Sequence, residues 1–209
     1  MNLKGKKILI TAGPTWVPID KVRVISNIAS GSTGMLLAEE AARLGAKVSL
    51  LLGPVLTCPL NKTVRLVRFT FFEELRNKVI RELKASRYDL IIHSAAVSDF
   101  KPSKISRGKI SSEGRLRLKL KPLPKIIDYI RRFARLAKIV MFKLEVGVSD
   151  AALIRRAKLA RDKNRVEIIV ANQLEPYRAF IIDKEDGIIR VKNKKELAKR
   201  LFEALGRIK

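Results

Sequence analysis

A long connection, Gly13 to Gly34, separates the first apolar strand of this chain from its first helical pattern. The strand is predicted at Lys7–Ala12 and the helix at Met35–Leu44. Connections in compact α/β units usually have a handful of residues, whereas one of about 20 is usually functional or disordered. This connection contains Trp16 and Ile19, whose side chains should pack, so we predict an ordered, functional loop.

The loop ends in a run of small residues, Ser30-Gly31-Ser32-Thr33-Gly34, where the helix is predicted to begin. Free backbone N–H groups and the helix dipole attract an anion at such a position. A helix cap with a tight turn is the ordinary alternative, but the length of the loop favours an anion site. Its candidate residues are Gly13, Ser30, Gly31 and Ser32.

The charge balance also favours anionic partners. The chain has 45 Lys and Arg against 20 Asp and Glu, a formal net charge of +25. The resulting field attracts nucleic acid, nucleotides and phosphorylated metabolites without choosing among them. No apolar run approaches the ~20 residues of a membrane span, and the start MNLKGKK lacks a signal-peptide core. We therefore expect a soluble, cytoplasmic protein with no membrane partner.

The single cysteine and the single histidine limit the possible metal and catalytic sites. Cys58 has no internal disulfide partner, and one Cys with one His makes a His/Cys metal site unexpected. We expect Cys58 to be incidental rather than catalytic. His93 lies in an apolar strand, where a histidine belongs to the core or to a site wall more often than it serves as a base.

Strands and helices alternate along most of the chain, which predicts an α/β fold. The expected architecture is a doubly wound, mainly parallel Rossmann-like sheet with helices on both faces, forming one domain over 1–209. A basic flap at about 98–114 and a small antiparallel extension are added to it. The predicted strands after the first are Lys47–Leu52, Val64–Phe69, Asp89–Val97, Leu116–Leu120, Ile139–Leu144, Val166–Ala171, and the hairpin Phe180–Asp183 with Gly187–Val191.

Ligands of such sheets bind beyond the carboxyl ends of the strands. One crevice should therefore be lined by the predicted strand ends, which are Gly13, Gly53, Ser94–Asp99, Phe142–Glu145 and Asn172. The chain has no P-loop, and no G-x-G-x-x-G follows the first strand, which weakens an ordinary dinucleotide site. A nucleophile elbow and the H-E-x-x-H motif are also missing.

Two polar side chains near the crevice are candidates for chemistry. Asn27 precedes the small-residue run, and its amide can donate to a developing oxyanion, although an Asx turn is the ordinary alternative. Asp99 follows Ala95-Ala96-Val97, whose small residues leave room for a ligand. Its carboxylate can accept from a base or sugar or hold Mg²⁺, and a simple loop start is the alternative.

Basic side chains form two further candidate groups. The flap contains four of them, Lys101, Lys104, Arg107 and Lys109, and can close over a polyphosphate. Lys158 and Lys163 belong to a basic helix predicted over 150–162 and its end, and can hold phosphates if they point at the crevice. For both groups a solvated surface is the commoner case.

Taken in order, several segments resemble the phosphopantothenate–cysteine ligase family, the second activity of the bifunctional coenzyme A biosynthesis flavoproteins. They are ILITAGPTWVPIDKVRVISNIASGSTG, HSAAVSDFKP followed by GKI, KPLPKII, MFKLE and KNRVEIIVAN. The most specific element is GPT…ID-x-VR-x-I-[ST]-N-x-[SA]-S-G. The resemblance covers nearly the whole chain but not the decarboxylase half, so it implies a stand-alone ligase without an FMN site.

The resemblance implies a two-step reaction. The phosphopantothenate carboxylate attacks the α-phosphate of a nucleoside triphosphate, usually CTP and otherwise ATP, and pyrophosphate leaves. The cysteine amine then attacks the acyl-nucleotide and releases the nucleoside monophosphate. The family requires Mg²⁺ and forms homodimers.

The resemblance also implies residue roles. Asn27 matches the essential asparagine that acts on the acyl-nucleotide, and Lys109 matches the first lysine of the flap motif. Arg23 and Asn27 are implied on the substrate side. The implied nucleotide contacts are Ala95, Ala96, Asp99, Phe142, Lys158 and Lys163.

The chain departs from the family pattern at several positions. The flap motif Lys-x-Lys-Lys is Lys109-Ile110-Ser111-Ser112 here, and the Pro-Asp-Ile element is Pro124-Lys125-Ile126. These changes bear on nucleotide choice and flap chemistry more than on reaction class. Two other hypotheses remain open: a basic nucleic-acid-binding module, motivated by charge alone, and a nicotinamide-dependent reductase on the same architecture.

Overall fold

The computed structural model describes residues 2–57 and 60–208. Its strands are β1 Lys7–Ala12, β2 Trp16–Pro18, β3 Val24–Ser26, β4 Lys47–Leu52, β5 Arg65–Arg68, β6 Leu90–His93, β7 Phe100–Pro102, β8 Leu120–Pro122, β9 Lys138–Leu144, β10 Ile168–Leu174, β11 Tyr177–Asp183 and β12 Ile188–Val191. Its helices are α1 Ser32–Arg43, α2 Phe72–Ala85, α3 Ile126–Phe133, α4 Asp150–Asn164 and α5 Lys194–Arg207.

One eight-stranded sheet organises the fold, in the order β12-β11-β10-β9-β6-β1-β4-β5. The six strands from β10 to β5 are parallel, and β11 and β12 extend the sheet antiparallel. This confirms the predicted Rossmann-like sheet and its antiparallel extension. The order reverses between β1 and β6, where doubly wound folds place their ligand crevice.

Two apolar layers cover the sheet because the buried strands carry large aliphatic residues on both faces. Ile8, Ile10 and Ala12 of β1 pack beneath α1 and α5. Leu9 and Ile91 pack on the other face beneath α2, α3 and α4. One face of β1 therefore supports the first and last helices of the chain, and the other face supports the three helices between them.

β5, which lies within the predicted strand Val64–Phe69, is the last strand at one edge of the sheet. It pairs only with β4 among the described strands, and its Arg65 and Arg68 are exposed while Val67 packs inward. Residues two apart share a face of a strand, so Arg65 stands on the same face as Val67, and Arg68 stands on the opposite face with Leu66.

Two predicted strands differ greatly in extent from the strands that the structure forms. The apolar run after β6 leaves the sheet at Ser94, because residues 94–98 instead run beside 13–15 of the long loop. Of Leu116–Leu120, only Leu120 belongs to a strand. That strand, β8, pairs with β7, which ends at Pro102. One further backbone hydrogen bond, from Ser103 N to Lys119 O, extends the pairing. The β2–β3 hairpin inside the long loop was not predicted.

The flap is therefore bounded differently from the sequence prediction. β7 and β8 form its base, and the excursion between them, residues 103–119, is what we call the flap below. Within the described parts of the chain, the structure contains no helix with both the length and the apolar content that membrane crossing requires.

Candidate functional site

The crevice lies at the carboxyl ends of β1 and β6. Beyond these strands the chain continues as two extended segments held side by side: Ala96 N donates to Gly13 O at 2.9 Å. Buried Ser98 donates from its backbone N to Thr15 Oγ1, also at 2.9 Å. Ala95 and Ala96 follow Ser94, the first residue after β6, and their small side chains remain partly exposed. The structure thus places Gly13, Ala95 and Ala96 together, as predicted.

Asn27 reaches this segment from the long loop. Its Nδ2 donates to Ala96 O at 3.0 Å and to Val97 O at 3.1 Å. Both amide hydrogens are thus committed to backbone carbonyls, and donation to an oxyanion requires those bonds to exchange. The amide cross-links the loop to the end of β6 and presents Oδ1 away from these two carbonyls.

The start of α1 is pressed against the same strand ends. Gly31, the residue before the helix, has a φ of 69° and supplies no side-chain cap. A Cβ on Gly34 would lie 2.3 Å from the Cβ of Ala12 and 2.9 Å from Ser94 Oγ, so only glycine fits this approach. The hydroxyl of Ser30 donates to Ser32 Oγ at 3.0 Å. The first N–H groups of α1 are thereby fixed at the edge of the crevice.

Lys194 joins this helix start from the other end of the chain. Its Nζ donates to Ser32 Oγ at 2.9 Å and lies 5.9 Å from the centre of the Tyr177 ring. A cation at the positive end of a helix dipole is unfavourable unless an anion lies between them. Sequence reasoning missed Lys194, because only the packing of α5 on α1 brings it here.

Phe142 lies one residue beyond the pairing of Met141 with His93, so its register places it beside Ser94. Its half-buried ring packs against the apolar layer beneath α1 and α5. The ring and the start of α1 therefore lie over the same face of the sheet, at the same edge.

His93 lies on the opposite face. Its Nδ1 is 2.7 Å from Thr11 Oγ1, and burial lowers the pKa of the imidazole to about 4. A histidine that is neutral at physiological pH and hydrogen-bonded to a strand hydroxyl serves as part of the wall.

The flap is attached to the turn between β2 and β3. The buried carboxylate of Asp20 accepts from Ile110 N at 3.0 Å and from the guanidinium of Arg23 at 2.9 Å. Arg23 also donates to Ile110 O at 3.0 Å, which differs from the substrate contact implied by the resemblance. Lys109, the neighbour of Ile110, is exposed. Hydrogen bonds from Ile110, then Val22, are the main causes that lower the pKa of Asp20 to about 2.

Asp99 lies just outside the crevice, at the base of the flap. Its carboxylate Oδ1 is 2.5 Å from Lys125 Nζ, and Leu123 N donates to its backbone oxygen at 2.8 Å. Lys125 occupies the aspartate position of the Pro-Asp-Ile element, so this carboxylate is already neutralised. In the described residues no group of three or more His, Cys, Asp and Glu side chains is arranged to hold a metal ion.

Comparison with known proteins assigns the chain to a family. The profile described as the DNA/pantothenate metabolism flavoprotein C-terminal domain matches residues 3–206. The chain belongs to this family.

Relatives of this family member include two archaeal proteins named coenzyme A biosynthesis bifunctional protein CoaBC. The one from Methanocaldococcus jannaschii is 37% identical over 216 residues, covering 99% of this chain and 52% of the relative. The one from Thermococcus kodakarensis is 33% identical over 214 residues, covering 98% and 52%. The chain thus spans about half the length of both.

A solved structure supports the fold assignment. The DNA/pantothenate metabolism flavoprotein from Streptococcus pneumoniae superposes with a TM-score of 0.86 at 27% identity, covering 97% of this family member and 99% of that chain.

Two predicted site residues are not brought to the crevice. Lys158 Nζ lies 3.2 Å from Asp186, in the turn between β11 and β12. That turn follows the pairing of Asp183 with Ile168, the first residue of β10, so it lies at the amino edge of the parallel strands. Lys163 is exposed one residue before the end of α4, toward the same edge. The prediction for both was wrong in placement because helical spacing does not say which end of a helix faces the ligand.

A cavity of about 460 Å³ also lies at the amino edge, between the last turns of α2 and α3. Lys84 and Arg132 stack on Phe133 there, at 5.4 and 5.5 Å from the ring centre. These cations complement two helix carboxyl ends, whose carbonyls would repel a bound anion. We therefore place the functional site at the carboxyl edge. Cys58 lies outside the described residues.

Proposed function

We propose that this chain is a phosphopantothenate–cysteine ligase that uses a nucleoside triphosphate, with CTP as the preferred one. The observation that carries the proposal is the start of α1, fixed by Gly34 at the strand-order reversal and joined there by Lys194. An anion-binding helix start at this point of a doubly wound sheet suits a polyphosphate. Family membership and the names of the archaeal relatives support coenzyme A biosynthesis as the setting.

The proposed reaction balances in two steps. A carboxylate oxygen of phosphopantothenate bonds to the α-phosphorus, and the bond from that phosphorus to the bridging oxygen breaks, releasing pyrophosphate. The cysteine nitrogen then bonds to the acyl carbon, the carbon–oxygen bond to the nucleotide breaks, and the amine gives up a proton. Both steps depend mainly on positioning and charge neutralisation.

Each residue of the crevice has a proposed part in that chemistry. The backbone N–H groups that follow Gly31, the hydroxyls of Ser30 and Ser32, and the Lys194 ammonium bind phosphate oxygens. Phe142 stacks on the base, which enters over Gly13, Ala95 and Ala96. Asn27 orients the acyl-nucleotide at the Ala96–Val97 carbonyls, and Lys109 neutralises charge from the flap.

Mg²⁺ fits this site as a companion of the triphosphate rather than as a protein-held ion. Mg²⁺ commonly binds through one or two carboxylates plus substrate phosphates. Asp99 directly follows the crevice segment 94–98 in the chain, and its carboxylate shares its charge with Lys125. When bound, the ion would supply neutralisation of the phosphate oxygens, while the protein groups above orient the reactants.

The test measures pyrophosphate release with each of CTP, ATP, UTP and GTP, with and without phosphopantothenate and cysteine. We expect release that depends on phosphopantothenate, is greatest with CTP, and yields phosphopantothenoylcysteine when cysteine is added. Asn27→Ala should reduce turnover by about 100-fold, the scale of losing a group that stabilises the reacting centre. Asn77→Ala, an exposed asparagine of α2, is the matched control and should leave turnover unchanged. Release with none of the four nucleotides would reject the ligase.

We further propose a homodimer. Leu116 and Leu118 of the flap are 52% and 39% exposed, and Leu120 of β8 is 44% exposed, so a row of apolar side chains is available for a second copy. Sedimentation equilibrium should give twice the monomer mass, and Leu116→Glu should shift it toward monomer. A monomer at all concentrations tested would reject this part of the proposal.

A further inference from the structure

Asp20 is the most enclosed carboxylate near the proposed site, yet no part of the reaction requires it. Its side chain is fully buried in the turn between β2 and β3. One oxygen accepts from Val22 N at 2.8 Å and from Arg23 N at 2.7 Å, which closes the turn on itself. Burying an isolated carboxylate is costly, and hydrogen-bond donors offset that cost. The number of donors around Asp20 therefore indicates that this arrangement of the turn is specific.

The other oxygen of Asp20 is directed outward, to the flap. It accepts from Ile110 N, while Arg23, paired to the same oxygen, donates to Ile110 O. Both backbone groups of one flap residue are thus bonded by the side chains of the turn. A third bond between the two segments runs from Ser106 N to Ile19 O at 3.1 Å.

The turn and the flap each carry one of the proposed functional side chains. Lys109 immediately precedes Ile110, the residue that is bonded on both sides. Asn27 follows β3 directly, and β3 pairs with β2 on the other side of the turn. A rigid connection at Asp20 therefore fixes the position of Lys109 relative to Asn27, although the two side chains are 82 residues apart in the sequence.

We infer that Asp20 and Arg23 are positioning residues that act through Lys109, holding the flap in register with the loop that carries Asn27. Arg23 is thereby assigned to the flap rather than to the substrate. The inference rests on the proposed ligase function for its effect on turnover, but the attachment of the flap can be measured without any substrate.

The substrate-free test is limited proteolysis. Trypsin can cut the Lys109–Ile110 bond only when Ile110 is released from Asp20 and Arg23, which bond both of its backbone groups, so the rate of that cleavage, followed by mass spectrometry, reports the open population. Asp20→Asn replaces an acceptor facing Ile110 N by a group that can donate, and cleavage should become at least about tenfold faster. Asp89→Asn is the matched control, because Asp89 also accepts from a lysine and a backbone N–H, at 2.9 Å each, but at the amino edge of the sheet. Its cleavage rate at this bond should equal that of the wild type.

The turnover test is a double-mutant cycle. We expect Asp20→Asn and Lys109→Gln each to lower kcat by about tenfold or more, with the double variant no slower than Lys109→Gln alone. A fully additive loss would show that Asp20 does not act through Lys109 and would overturn the inference. Unchanged proteolysis in Asp20→Asn would overturn it as well.

If Asp20→Asn does not fold, Arg23→Met removes the guanidinium contacts while leaving the backbone bonds that close the turn, and the same proteolysis and cycle apply to it. If the wild type releases no pyrophosphate, the ligase proposal fails, and the proteolysis alone decides whether Asp20 holds the flap.

Discussion

Replacing Gly34 by alanine should weaken nucleotide binding strongly while lowering the free energy of unfolding only a little. The added methyl would lie 2.3 Å from the Ala12 Cβ, and Ser94 Oγ would be 2.9 Å away. Neither neighbour is the free end of a long side chain, so the methyl cannot be accommodated by a rotamer change. The start of α1 must instead move away from the ends of β1 and β6.

The size of the effect follows from that contact. Carbon atoms in contact are separated by about 3.6 Å, so the helix start has to retreat by about 1.3 Å from the 2.3 Å position. Overpacking of this kind costs about 1–3 kcal/mol, and alanine recovers about 1 kcal/mol through its helix propensity. The net loss of stability is therefore small, about 0–2 kcal/mol. A displacement of about 1 Å at a positioned site can nevertheless cost about 100-fold in function.

Thermal unfolding with and without CTP measures both quantities. At a CTP concentration of 100 times the wild-type Kd, binding stabilises the wild type by about 2.7 kcal/mol. A variant that binds 100-fold more weakly gains about 0.4 kcal/mol at the same concentration. For a domain of this size, 1 kcal/mol shifts Tm by about 2–4 °C. The rise of Tm on adding CTP should thus fall from about 5–11 °C to about 1–2 °C.

Gly206→Ala is the control, because Gly206 is an exposed helical glycine in the last turn of α5. It should raise Tm slightly and leave the response to CTP unchanged. The reasoning is refuted if Gly34→Ala responds to CTP as the wild type does, since the helix start would then not be part of the nucleotide site.

Four other perturbations have defined outcomes. Asn27→Asp sets a carboxylate against two carbonyl oxygens, so it should lower the unfolding free energy by about 1 kcal/mol and reduce pyrophosphate release more than Asn27→Ala does. Lys194→Met should weaken CTP binding by about 10–100-fold in calorimetry, the range of one charged hydrogen bond, while Lys195→Met, its exposed neighbour, should not. The pKa of Asp20 is lowered from 3.8 to about 2, so its contribution to stability is present above pH 4 and lost as pH falls toward 2. The urea concentration at half-unfolding should therefore fall more steeply in the wild type than in Asp20→Asn as the pH is lowered from 4 toward 2. Lys158→Met should leave kcat within about twofold, since its ion pair lies at the other edge of the sheet.

The sheet was predictable because its strands are long apolar runs. Lys7–Ala12 and Lys47–Leu52 were placed without error, since a parallel strand buried on both faces has a strong hydrophobic signal. The same signal failed after His93, where apolar residues continue but pair with the long loop instead of the sheet. Composition cannot distinguish these two partners.

The sequence could indicate the candidate site only where a local pattern of residues suffices. The small residues at Ser30–Gly34 indicated an anion site because helix starts bind anions through their own backbone. Lys194 carried no comparable signal, because its place depends on the docking of α5 against α1. Asp20 belongs to the sequence element that carries the family resemblance, but the element does not show that its partner lies in a flap 90 residues away. The sequence pattern also did not show which edge of the sheet the side chains of α4 face: Lys158 pairs with Asp186 at the amino edge.

The arginines of β5 bear on how this protein avoids self-association through its sheet. A bare strand edge offers N–H and C=O groups to any extended chain, and bulky cations on it, here Arg65 and Arg68 on opposite faces, make that addition unfavourable. With a net charge of +25, a second molecule approaching β5 also meets long-range repulsion. Fibril-like growth should be suppressed on that side even in concentrated solution, so copies of this chain should meet through faces other than that sheet margin.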